Sequence, residues 1–77
     1  DSHALYAAKV LAKFKLLELQ RIECSAFSNW AMTATHLEKL HYAYPRGLSF
    51  EKWFEFVCND LVRSKAAEID GDYLINA

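Results

Sequence analysis

Apolar residues recur along most of this chain at three- and four-residue intervals, the spacing that collects side chains on one side of an α-helix. Between Phe50 and Ser64 the pattern is clearest. Phe50, Trp53, Phe54, Val57, Leu61 and Ser64 share one side, and Lys52, Glu55, Asn59 and Arg63 share the other. Phe56 and Val62 fall off the stripe. A second stretch places Trp30, Thr33, Ala34, Leu37, Leu40 and Tyr44 together, with Thr35, Glu38, Lys39 and Tyr42 opposite. The segment Tyr44 to Ser49, YPRGLS, separates the two: the proline disfavours helix in the residue before it, the glycine suits a left-handed turn, and Ser49 is a natural N-cap.

The N-terminal stretch is apolar on two sides. Leu5, Ala8, Leu11, Ala12, Leu16, Leu19 and Ile22 fill one arc, Tyr6, Val10, Phe14 and Leu17 a second, and Lys9, Lys13 and Gln20 mark a narrow polar strip between them. No glycine or proline interrupts the first 44 residues, and Ala, Leu, Lys and Glu, all strong helix formers, are abundant before residue 25. The expected fold is therefore all-α: a three-helix bundle with helices over about 2–24, 29–44 and 50–68 and a short extended tail. Ser2 is the expected first N-cap, Ser25, Ser28 and Asn29 mark the first break, and the Thr35/Glu38 spacing of a capping box offers Thr35 as another helix start.

A chain of 77 residues holds one domain with a small core. It starts at Asp1 and not at Met, so a processed chain or a fragment of a longer protein is expected. A 53% hydrophobic content with 14% aromatic excludes a disordered polar segment. A formal net charge of −1, with nine basic residues scattered among ten acidic ones, leaves no cationic stripe for nucleic acid. No apolar run reaches the length of a membrane span and no signal-peptide pattern opens the chain, so a soluble, cytoplasmic protein is expected. The two cysteines, Cys24 and Cys58, lie in apolar helical stretches and read as core thiols in a reducing compartment.

Candidate chemistry is sparse. Thr35 to His41, THLEKLH, contains a Glu-x-x-His step, Glu38 and His41, of the kind that holds metals in helical bundles. On a helical projection His41 lies about 40° from the centre of the apolar stripe but Glu38 about 100° away, so only one of the two points inward and no metal site is expected. Glu68, Asp70 and Asp72 have the alternate spacing that opens a calcium loop, yet Tyr73 stands where that loop needs glycine, and an Asp-Gly turn explains the residues more simply. A helix–turn–helix reading, with YPRGLS as the turn and the third helix as reader, meets the acids Glu51, Glu55 and Asp60 where DNA would approach. No nucleophile–base pair and no phosphate-cradling glycine loop occurs, which points away from an enzyme and from any cofactor.

The two-sided first helix is the informative feature. Two shorter neighbours cannot easily surround it, so its second arc, Tyr6, Val10, Phe14 and Leu17, is the expected contact for a partner helix or for another copy of the chain in a homo-oligomer. The function expected is protein–protein interaction or oligomerisation, with a DNA-binding regulator and a Glu38/His41 metal bundle formed across a dimer as alternatives.

Overall fold

The computed structural model describes residues 2–42 and 47–77, without the side chains of Ser2, Glu38 and Tyr42. The expected N-cap role of Ser2, the capping box of Glu38, and the helix end at Tyr44 with its following proline lie outside that description.

The fold is mixed α/β, not a three-helix bundle. Helix α1 (Ser2–Leu19) leads into strand β1 (Arg21–Glu23), followed by α2 (Cys24–Thr33), α3 (Thr35–Tyr42), α4 (Phe50–Arg63), β2 (Ala67–Asp70) and β3 (Tyr73–Asn76). The three strands form one antiparallel sheet in the order β1-β3-β2. The C-terminal strand is thus the middle one, with Leu74 between Ile22 on one side and Ile69 on the other.

Both long helices stop earlier than their periodicity predicts, and for the same reason. At the end of α1, Gln20 adopts a left-handed φ of 69° and its N–H donates to the Leu16 carbonyl at 2.7 Å, the single bond of an αL cap. At the end of α4, Lys65 adopts φ 66°, its N–H donates to the Val62 carbonyl at 3.0 Å, and the Ala66 N–H donates to that of Leu61 at 2.8 Å, which is the paired pattern of a Schellman motif. Glycine normally marks these positions because it has no Cβ to clash. Here glutamine and lysine occupy them, so the strongest stop signal is missing from the sequence.

The middle helix is two helices. Ala34 is extended (φ −85°, ψ 108°), its N–H donates to the Ala31 carbonyl at 3.1 Å, and a new helix starts at Thr35. Ser49 caps α4 through its side-chain oxygen, which accepts from the Lys52 N–H at 3.3 Å. The tail forms a hairpin with β2: Asp70 pairs with Tyr73, leaving a two-residue loop whose first member, Gly71, has φ 60°, as a type II′ turn requires. With only Gly71 and Asp72 in the loop, no room remains for a calcium-binding circuit through Glu68, Asp70 and Asp72.

The core gathers one side of every helix onto the sheet. Ala8, Ala12 and Leu16 of α1, Phe27 and Ala31 of α2, Leu37 of α3, Trp53, Phe54, Val57 and Leu61 of α4, Ala67 of β2 and Leu74 of β3 form one buried cluster. At its centre Phe27 meets Phe54 edge-on at 5.1 Å and stacks on Trp30 at 5.4 Å. Full burial of each large side chain contributes roughly 1.5–3 kcal/mol.

Relieving the left-handed strain tests the reading of the α4 terminus. Lys65→Gly is expected to raise stability by about 1 kcal/mol, or several degrees in Tm for a domain of this size, in thermal or urea unfolding. A lower midpoint would show that the lysine side chain contributes more than its backbone strain removes.

Candidate protein-interaction surface

Which arc of α1 faces inward is decided by side-chain size. Ala4, Ala8 and Ala12 follow one another at four-residue intervals, with Leu16 next in the row, and all four are buried. A ridge of methyl groups lets α4 and the sheet approach the α1 backbone closely, so the row makes contact along its length where larger residues would hold the helices apart. Leu5 and Leu11 flank it, half-buried.

The second arc is left outside. Tyr6 is 68% exposed, Phe14 64% and Leu17 45%. Val10, the fourth residue of that arc, is half-buried and lines a groove of about 620 Å³ between α1 and α3, with Tyr6, Ala7 and Leu11 on one wall and His36, Lys39 and Leu40 on the other. The α3 wall was not anticipated from sequence, although Leu37 and Leu40 stand three apart on one stripe; Leu37 enters the core and Leu40 stays half-buried at the groove.

The lysines of α1 are engaged within the fold. The Lys13 ammonium donates to the Ala66 carbonyl at 2.6 Å, to the Asn76 side-chain oxygen, and to the Ala77 carbonyl at 3.1 Å, tying α1 to both ends of the hairpin. Lys9 pairs with Asp60 of α4 at 3.5 Å, and Asp60 also holds Arg63. Lys15 pairs with Glu18 at 3.6 Å and lies 5.6 Å over the Trp30 ring. The polar strip that periodicity assigns to solvent is largely a set of fastenings.

The Glu-x-x-His step has another use. The Nε2 of His41 is 2.7 Å from the Leu48 carbonyl, a contact that requires this nitrogen to carry the hydrogen, and the ring is flanked by Phe50 at 5.5 Å and Trp53 at 5.6 Å. The imidazole links α3 to the residues that lead into α4. The Glu38 side chain lies outside the description. Among the described residues no group of three or more His, Cys, Asp or Glu is placed to hold a metal ion.

The two cysteines part company. Both are free thiols, but Cys24, the first residue of α2, is exposed and not in the core, while Cys58 is half-buried. Burial, then the nearby Asp72 carboxylate, pushes the Cys24 thiol up from its ordinary value. Burial also pushes Cys58 up, to about 12, with Cys24 and Glu55 adding to the effect.

None of the described helices is long and apolar enough to cross a membrane. Comparison with family models, curated proteins and solved structures finds no match.

The fastening role of Lys13 is testable apart from any binding. Lys13→Met, which keeps most of the stem and removes the donors, is expected to lower unfolding stability by about 1–2 kcal/mol because three carbonyl-type acceptors lose a charged partner. It is also expected to speed amide exchange in β3; a variant with unchanged exchange there would show that the ammonium is not what holds the hairpin.

Proposed function

We propose that this domain is an oligomerisation module whose contact surface is the outward arc of α1, Tyr6, Val10, Phe14 and Leu17, with a second copy of the chain as its partner. The observation that carries the reading is the exposure of Tyr6, Phe14 and Leu17 in one row on a helix whose alanines occupy the core. Soluble monomers keep single apolar side chains at the surface as a matter of course, but a contiguous patch of several hundred Å² marks an interaction site.

The area suits a modest dimer. Tyr6, Phe14 and Leu17 leave on the order of 300–400 Å² open per copy. Two such rows, joined by the α1–α3 groove walls, extend the contact toward the ~1,200 Å² lower bound of stable interfaces. A two-fold axis passing between Val10 and Phe14 on the outward arc would run the helices antiparallel, with Tyr6 of one copy near Leu17 of the other and the two Phe14 rings close to the axis. Charge does not oppose this pairing. Lys9 and Lys15 meet Asp60 and Glu18 within their own copy, so approach of two α1 helices does not confront unneutralised ammonium groups.

Nucleic acid is the less favoured partner. α3 followed by α4 and then a hairpin is the layout in which DNA readers present a second helix and a hairpin tip. On this chain the outward positions of α4 include Glu51 and Glu55, and the hairpin tip carries Asp70 and Asp72, all exposed. A polyanion meets like charge on both elements.

Sedimentation equilibrium over a wide concentration range tests the reading. The wild-type chain is expected to associate to twice its mass, and Leu17→Glu or Phe14→Glu to lower that association at least tenfold with an unchanged far-UV circular dichroism spectrum. A wild type that stays monomeric at millimolar concentration, or a Leu17→Glu variant with the wild-type association constant, would overturn it.

A further inference from the structure

A second feature, remote from the α1 arc, brings the two thiols together. Phe27 of α2 meets Phe54 of α4 at 5.1 Å. Cys24 stands one turn before Phe27 on α2 and Cys58 one turn after Phe54 on α4, and both line one cavity of about 520 Å³ together with Ser28, Asn59 and Ile69. Neither sulfur is paired in the fold as it stands. One is exposed and the other half-buried, the arrangement of an attacking and a resolving thiol.

We propose that Cys24 and Cys58 form a thiol–disulfide exchange site, in which a small disulfide of the glutathione class oxidises the pair to one intramolecular bond across the α2–α4 cavity. The Cys24 thiolate attacks one sulfur of the small disulfide, forms a mixed disulfide and releases one small thiolate. The Cys58 thiolate then attacks the Cys24 sulfur, closes the protein disulfide and releases the second. The two protons given up by Cys24 and Cys58 end on the two released thiolates, and the two electrons lost by the protein reduce the small disulfide to two thiols.

Burial and the Asp72 and Glu55 carboxylates disfavour both thiolates, so exchange is slow at neutral pH and quickens as the pH rises. The bond closes a loop from α2 through α3 to α4, which restricts the unfolded chain and leaves the α1 arc untouched.

The experiment incubates the full chain with mixtures of reduced and oxidised glutathione and follows free thiols, intact mass and thermal midpoint. The expected product has no free thiol, has lost two hydrogens, carries no glutathione and melts several degrees higher. Cys58→Ser is expected to stop at a glutathione adduct on Cys24, and Cys24→Ser to remain largely unmodified. A wild-type chain that accumulates the Cys24 adduct with Cys58 still free, or that forms disulfide-linked dimers, would overturn the proposal. Leu17→Glu is expected to close the bond as the wild type does, so loss of α1 association and loss of thiol exchange are read separately.

Discussion

The pairing of β3 with β1 on one side and β2 on the other is the constraint that the rest of the structure obeys. A strand of four residues with neighbours on both edges draws backbone partners from one segment fifty or more positions away and from another immediately adjacent to it. To supply them, α1 must stop before Arg21 and α4 before Ala67. Gln20 serves helix and sheet together: its N–H closes α1 on Leu16, and its carbonyl accepts from the Asn76 N–H at 2.7 Å, which extends the ladder. Cys24 does the same at the other end of β1, donating to the Asp72 carbonyl at 2.8 Å while it begins α2. At both ends of β1, sheet and helix therefore share residues at their junctions.

This arrangement also settles the division of α1. A helix lying against both α4 and the sheet gains more from a close approach along its whole length than from a few large side chains held further apart. The alanine row meets that demand, and the ammonium of Lys13, on the side turned to the hairpin, adds charged hydrogen bonds where an apolar residue would leave the Ala66 carbonyl with a poorer partner. The aromatic residues of the same helix are displaced to the far side. Their exposure is a geometric product of the small-residue seam, and that seam and the proposed contact are two faces of one choice.

Much of this was legible in the residues, and what was not has identifiable causes. The stripe of Trp53, Phe54, Val57 and Leu61 stands out at helical spacing, and those side chains are buried. The Ser49 cap and the turn at Gly47 follow from local chemistry that acts within a few residues. The sheet was the failure. Arg21-Ile22-Glu23 alternates over three residues only, too short to outweigh a continuous helical period, and the left-handed residues that end α1 and α4 are not glycine. The hairpin did carry a signal, since Gly-Asp between the short runs Ala67–Asp70 and Tyr73–Asn76 favours a two-residue loop with glycine first. The helical period that precedes it, continued to residue 68 in the expected third helix, masks that signal. On α1, the two apolar arcs were separable by eye, and the four-residue spacing of the alanines was the clue to which one lies inside.

Placing the middle strand after both of its neighbours in sequence has a consequence for how the protein comes into being. During synthesis the helices can emerge and collapse early, but β1 and β2 remain open edges, and the acceptors for Lys13 at residues 76 and 77 do not yet exist, until residues 73–77 leave the ribosome. Because the β1–β3 pairing spans most of these residues, its loop-closure entropy is met only once β3 has been made. A nascent or clipped chain ending before Tyr73 would lack the strand that joins its two halves, and its native state would arrive all at once or not at all.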